Sequence, residues 1–404
     1  MIKKIYMSAP ALICCAGQNR NELYESCLSG YQGGLVIYDH KSSICEPSHF
    51  EPDGNPCGVK SPLGLVTKEL PDVILPEPLV YAGAIKIIRI INAALEQMRP
   101  VIEKAIIKYG HDNIGVCLGS CDIGSEAAFL ARNIDANNLN FPSASFSVEF
   151  ITQKFGIRGP SFTVAAACAS GASAIVRAAE LIQSGQCEAV IAGGADVVTN
   201  AVIAGFSALE AVSDTLTNPF SKNRKGINLG EGVAFFLLES DKNSNVELSG
   251  AGESADAYHM TAPGADGAGP AKAMNAALLD AGINSGEIGY VNLHGTGTAL
   301  NDKAENNAMR TVFGAGYPPF PPVSSTKPIT GHTLGAAGAI EAAICWMVLN
   351  EQRGLPVHCW DGVNDEEMPF IPVRHGSNET PSFCMSNNFG FGGCNVSLIL
   401  GRCV

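Results

Sequence analysis

The chain has 404 residues, 46% of them hydrophobic and 16% charged, with a formal net charge of −13. That supplies apolar material for one large two-halved body or for two or three domains, and the acidic balance excludes a global basic field for nucleic acid. No stretch reaches the roughly 18 uninterrupted apolar residues of a membrane span. The fourteen cysteines form no CxxC pair and no zinc-like spacing with histidine, so they read as reduced, buried thiols of a cytoplasmic protein.

From the N-terminus, Lys3 and Lys4 precede an apolar stretch, Ile5 to Cys15, broken by Ser8 and Pro10; this predicts a first β-strand and its turn, not a signal peptide. Ala82 to Met98 is apolar at helical spacing. Gly115 to Gly119 reads as a strand, and Ser170 to Gln183 as a helix burying Ile175, Val176, Leu181 and Ile182. Strands follow at Ala189 to Ala195 and Gly232 to Glu239. The polar run Asp241 to Asn245 is the expected junction of two halves, 1–241 and 242–404. Pro270 to Leu279 is a helix with proline in its first turn, Tyr290 to Leu293 a strand, and Gly338 to Val348 an alanine-rich helix. A polar, proline-bearing stretch, Asp361 to Thr380, precedes a last strand, Val396 to Leu400. The alternation predicts an α/β class, and continuous apolar strands predict a sheet covered on both faces.

Four segments carry chemistry. In TVAAACASGAS, Cys168 stands at a strand-to-helix turn among small residues, where the helix N-terminus favours thiolate; a buried structural cysteine is the plainer reading. In HGTGT, His294 ends a strand, and Thr296 and Thr298 offer hydroxyls to a polar ligand; a loop histidine is the alternative. KPITGHTLGAAGAIE holds Lys327 and His332 before a helix, without the spacing of a phosphate-binding loop, and a satisfied core histidine is the usual case. SNNFGFGGCN interleaves Phe389 and Phe391 with glycines, either a hairpin turn with two core aromatics or a mobile gate.

Taken together and in this order, these motifs, with NLGEG (228–232) and DAYHMTAP (256–263), resemble the β-ketoacyl synthases of fatty-acid and polyketide assembly, of the Cys–His–His type, almost from end to end. The resemblance implies a thiolase-like, five-layered αβαβα fold of two duplicated halves. It implies that Cys168 takes an acyl chain from the phosphopantetheine arm of an acyl carrier protein, and that His294 and His332 bind and decarboxylate the malonyl thioester. It further implies an oxyanion hole at the N–H groups of Cys168 and Phe391 and a gate at Phe389 and Phe391. Thr296 and Thr298 would bind the pantetheine, and Lys327 would pair with Glu305 to orient the site. No metal or other cofactor is called for. A dimer is expected, either with itself or with a chain-length-factor-like subunit.

Departures are Cys394 after FGFGG, where relatives carry threonine or histidine, a shortened segment after Glu239, and Glu210 where elongating synthases often carry the arginine that meets the carrier. Lys222, Arg224 and Lys225, or Lys86 and Arg89, would supply a basic patch instead. NLHGTGTALND and KGINLGEG also resemble synthases of bacterial aryl-polyene clusters. The competing readings are a thiolase, a non-catalytic partner subunit and a plain glycine-rich binding module.

Overall fold

The structure is a computed structural model that describes residues 3–37, 61–70, 73, 85–121, 145–314, 320–368 and 377–403. In chain order its elements begin with β1 (Ile5–Met7), β2 (Ala11–Cys14), α1 (Arg20–Ser29), α2 (Lys86–Tyr109), β3 (Ile114–Gly119), α3 (Phe146–Phe155), β4 (Ser161–Val164), α4 (Ser170–Gln183), β5 (Ala189–Asp196), α5 (Asn200–Ala208) and β6 (Gly232–Glu239). The second half comprises β7 (Val246–Ala255), α6 (Ala268–Ala281), β8 (Ile288–Asn292), α7 (Ala299–Phe313), β9 (Val323–Ser324), α8 (Lys327–Thr330), α9 (Ala337–Glu351), β10 (Phe383–Phe389) and β11 (Cys394–Arg402).

Two strand patterns repeat. In one, β4, β3 and β5 run parallel and β6 returns antiparallel, carrying β1 and β2 antiparallel beyond it. In the other, β9, β8 and β10 run parallel, and β11 and then β7 follow antiparallel. The two meet where β1 pairs with β7 through Ile5↔Leu248 and Tyr6↔Glu247.

The period-two alternation of each strand sorts its side chains between layers. Along β5, Val190 and Ala192 join the central core, whereas Ala189 and Ile191 face α2 and α3. Along β11, Leu398 and Leu400 join the central core, whereas Ile399 faces α6 and α7. With α4 and α9 packed between the two halves of this 11-stranded sheet, each half forming one sheet layer, the order is helix, sheet, helix, sheet, helix. Ala337 to Leu349 of α9 are all buried, as a helix apolar on every side requires.

Three expectations shift. The Ile5 to Cys15 stretch forms two short strands, because Pro10 and Ser8 interrupt one ladder. The helix expected to stop at Met98 runs through Pro100 to Tyr109, its stripe continuing with Ile102 and Ala105, and residues 82–84 lie outside the described part. Packing of that stripe outweighs the roughly 3 kcal/mol cost of an interior proline. Lys86 and Arg89 are not surface cations: Lys86 is buried in an ion pair with Glu231 at 2.5 Å, and Arg89 donates to the Leu70 carbonyl at 3.0 Å.

Candidate active site

The C-terminal ends of parallel strands β4, β8, β9 and β10 converge, and each delivers one of the four motifs. This is where open α/β sheets place ligands. Cys168 follows β4 at the entry to α4. Ala167 before it sits in the left-handed region (φ 47°), sparsely populated by non-glycine residues. The turn is held by Ser170, whose hydroxyl donates to the Ala167 carbonyl at 2.6 Å and accepts the Ala166 N–H at 2.9 Å.

Sγ of Cys168 and the ring nitrogens of His294 and His332 lie within 4.8 Å of one another, all three residues buried. Among the described residues this is the one His/Cys/Asp/Glu set spaced to admit a metal. The two imidazoles meet edge to face, centroids 5.5 Å apart, and Phe389 stands edge-on to His294 at 6.0 Å.

Hydrogen bonds select the tautomers. His332 Nδ1 accepts the Leu334 N–H at 3.3 Å, and His294 Nδ1 faces the Lys327 ammonium at 3.4 Å. With both Nδ1 atoms accepting, each ring carries its proton on Nε2. Burial holds both imidazoles well below 6.5, reinforced by Lys327 and, for His294, by the second histidine. The pair therefore offers two neutral N–H donors.

The NLGEG segment clamps His332 from behind: the Asn228 carbonyl accepts the His332 N–H at 2.7 Å, and the Gly230 N–H donates to the His332 carbonyl at 3.0 Å. Glu231 beside it accepts the Val66 and Val198 N–H groups at 2.7 and 3.1 Å.

Lys327 does not pair with Glu305. Its ammonium pairs with Glu341 on α9 and donates to the His294 carbonyl at 2.6 Å. Glu305 instead accepts the N–H groups of His294 and Gly295, each at 2.8 Å. The pairing depends on which helix reaches the ammonium: α9 brings Glu341 to Lys327, whereas α7 brings Glu305 to the backbone of the histidine loop. Burial raises both carboxyls to about 7, opposed at Glu341 by Lys327 and at Glu305 chiefly by the two backbone donors.

The Phe391 N–H is directed at the Cys168 thiol. Its turn is tied down by the DAYHMTAP segment: the Gly392 N–H donates to the Met260 carbonyl at 2.7 Å and the Asp256 N–H to the Gly393 carbonyl at 2.8 Å. Phe206 of α5 stacks on Phe391 with centroids 5.7 Å apart. Asp196, at the end of β5, accepts from Ser120 Oγ at 2.8 Å, the Cys121 N–H at 2.8 Å and the Gly335 N–H at 2.6 Å. Nothing in the linear sequence marked Phe206 or Asp196, and Glu341, the last residue of the KPITGHTLGAAGAIE segment, was given no role there.

A cleft of about 500 Å³ opens from Cys168, His294 and His332 to the surface. Thr296 and Thr298 line it with hydroxyls 2.9 Å apart. At its mouth stand Leu209, Leu300, Arg224, Lys225 and Glu210, the last in a left-handed turn. Arg224 pairs with Asp365 at 2.7 Å and Lys225 with Asp214 at 3.4 Å, so the basic patch is partly neutralised.

The chain matches the N-terminal domain of the β-ketoacyl synthases over residues 83–244 and their C-terminal domain over 246–358. It is 40% identical over 264 residues to 3-oxoacyl-[acyl-carrier-protein] synthase 2 of Vibrio cholerae, a match covering 61% of this chain and 63% of that relative's length, less than two thirds. It is 33% identical to nodulation protein E of Rhizobium meliloti over 84% of this chain and 88% of the relative. Among solved structures it superimposes with TM-score 0.86 and 35% identity on the ketosynthase ApeO, determined in complex with its chain length factor ApeC from Xenorhabdus doucetiae, over 99% and 98% of the two chains. With both domains matched and the fold shared end to end, this chain belongs to the β-ketoacyl synthase family.

Proposed function

We propose that the protein is a β-ketoacyl–acyl-carrier-protein synthase, an acyltransferase of fatty-acid or polyketide biosynthesis. The observation that carries the reading is a thiol under a backbone N–H, facing two imidazoles whose Nε2 atoms both bear hydrogen. Cys168 Sγ attacks the acyl thioester, the tetrahedral oxyanion is held by the N–H groups of Cys168 and Phe391, and the carrier thiol leaves with a proton. The malonyl thioester then places its carbonyl oxygen against His294 and His332, which stabilise the enolate as carbon dioxide departs. That carbanion attacks the Cys168 thioester, the thiolate is expelled, and 3-ketoacyl carrier results. Thr296 and Thr298 would hold the pantetheine, Phe389 and Phe391 would gate the thiol, and Lys327, Glu341 and Glu305 would hold the histidine loops. The steps call on no metal or organic cofactor; the prosthetic arm belongs to the carrier protein.

In this reading the nucleophile half is 1–241 and the histidine half 242–404, in line with the repeated strand order. Leu209, Leu300, Lys222 and Lys225 would meet an acidic carrier. The exposed side chain of Phe162 on β4 would lie at the contact with a second subunit, either another copy or a chain-length-factor-like chain. A cytoplasmic setting accords with twelve free cysteines among the described residues.

The test is intact mass after incubation with acyl-carrier proteins of several chain lengths. An acyl adduct on wild type and none on Cys168→Ala is expected, and the preferred chain would separate fatty-acid from polyene pathways. An adduct from acyl-coenzyme A alone would favour a thiolase, and no adduct with any donor would remove Cys168 as nucleophile.

A further inference from the structure

We propose that His358 is a positioning residue for the two imidazoles, fixing the loop of His294 and the loop of Lys327 and His332 relative to each other through Ser325. The inference rests on the ketosynthase reading. His358 lies outside every motif that marks the site, in the stretch after α9, and is 6% exposed.

Both of its ring nitrogens are engaged by backbone. Nδ1 accepts the Ser325 N–H at 3.1 Å, and Nε2–H donates to the Pro219 carbonyl at 3.1 Å. Only one neutral tautomer satisfies both. Burial pushes its pKa to about 4, so that tautomer persists at neutral pH.

Ser325 passes the constraint in two directions. Its hydroxyl donates to the Gly295 carbonyl at 2.6 Å, next to His294, and accepts the Lys327 N–H at 3.3 Å. Lys327 in turn touches His294 through its carbonyl and Nδ1. On the other side, Pro219 precedes Phe220, which is held in a left-handed conformation (φ 62°) with its N–H donated to Asp302 at 2.8 Å. The Phe220 ring meets His358 edge to face at 6.3 Å. There is no slack at the junction: a Cβ on Gly295 would lie 2.5 Å from Ser325 Cβ and 3.1 Å from the Phe220 ring. An apolar side chain of similar volume would fill the space of His358 but leave the Ser325 N–H and the Pro219 carbonyl buried without this partner. Displacement of Ser325 would then reach His294 while leaving the Cys168 turn, which is braced separately by Ser170, in place.

The two half-reactions separate the possibilities. Acylation of Cys168 by acyl carrier and release of carbon dioxide from malonyl carrier are measured in wild type, His358→Leu, His358→Asn and His358→Gln, alongside thermal unfolding. Asn can present an acceptor near the Nδ1 position, and Gln a donor near the Nε2 position. We expect His358→Leu to lose decarboxylation by about 10- to 100-fold more than acylation, as small misplacements of reacting groups do. Asn should recover most of that loss and Gln little of it. Parallel loss of both half-reactions, or equal behaviour of Asn and Gln, would make His358 a structural core residue and overturn the proposal. If the Leu variant does not fold, the Asn–Gln contrast decides alone. Absence of both half-reactions in wild type would instead bring down the ketosynthase reading and this inference with it.

Discussion

Burial pushes the Cys168 thiol up to about 11, with the Lys327 ammonium and the Phe391 N–H pulling the other way. Burial outweighs both at rest, and the nucleophile waits protonated. Alkylation of Cys168 by iodoacetamide, followed by peptide mass, should accelerate continuously up to at least about pH 9, as a raised thiol requires; a plateau near neutrality would contradict this. The imidazoles carry the opposite sign. Both lie well below 6.5, so they remain neutral Nε2–H donors as pH falls through that value. Decarboxylation of malonyl carrier by Cys168→Ala should stay level there and decline only at more acid pH. An inflection at 6.5 would mean that the histidines titrate as free ones do.

Helix α9 serves the site twice, through Glu341 and through its packing on α4. The Lys327–Glu341 pair is almost fully enclosed, with side chains 1% and 3% exposed. Lys327→Met removes the cation that opposes burial at Glu341 and leaves a protonated carboxyl buried without its partner, so it should cost about 1–3 kcal/mol in denaturant unfolding, and adding Glu341→Leu should recover much of it. The helices themselves approach through small residues. A Cβ on Gly338 would stand 2.7 Å from the Ala172 nitrogen, and one on Gly171 2.8 Å from the Gly335 carbonyl. Gly338→Ala should therefore destabilise by about 1–3 kcal/mol, with activity falling as the histidine loop shifts. An unchanged unfolding midpoint would mean that the two helices can separate without cost.

The repeated strand order makes each sheet the topological counterpart of the other, and in both the antiparallel strands face each other across the β1–β7 seam. The outer limits are β4 and β9. Strand β4 exposes the apolar side chain of Phe162, which a second chain would cover in the proposed dimer. Phe162→Lys should shift the protein to half its assembled mass in sedimentation. Retention of the full mass would place the subunit contact elsewhere.

The composition of α4, β5 and β6 determined their bounds almost to the residue, because a strand or helix buried on all sides must be apolar throughout and is ended by the first polar or glycine-bearing turn. The four motifs likewise declared their thiol and imidazoles, since each marks a strand end followed by small residues. What the sequence left open were the relations between loops that meet only when the two sheets close over α4 and α9. Lys327 lies nearer Glu341 in the chain than Glu305, 14 residues against 22, yet Glu305 was the expected partner. Whether it pairs with one or the other depends on which helix passes beneath the loop. The neutral tautomers of His294 and His332, the protonated state of Cys168 and the bracing of Ser325 by His358 are likewise decided only by folding. Burial sets the charge of each group and neighbouring backbone sets its proton, and neither is present in an extended chain.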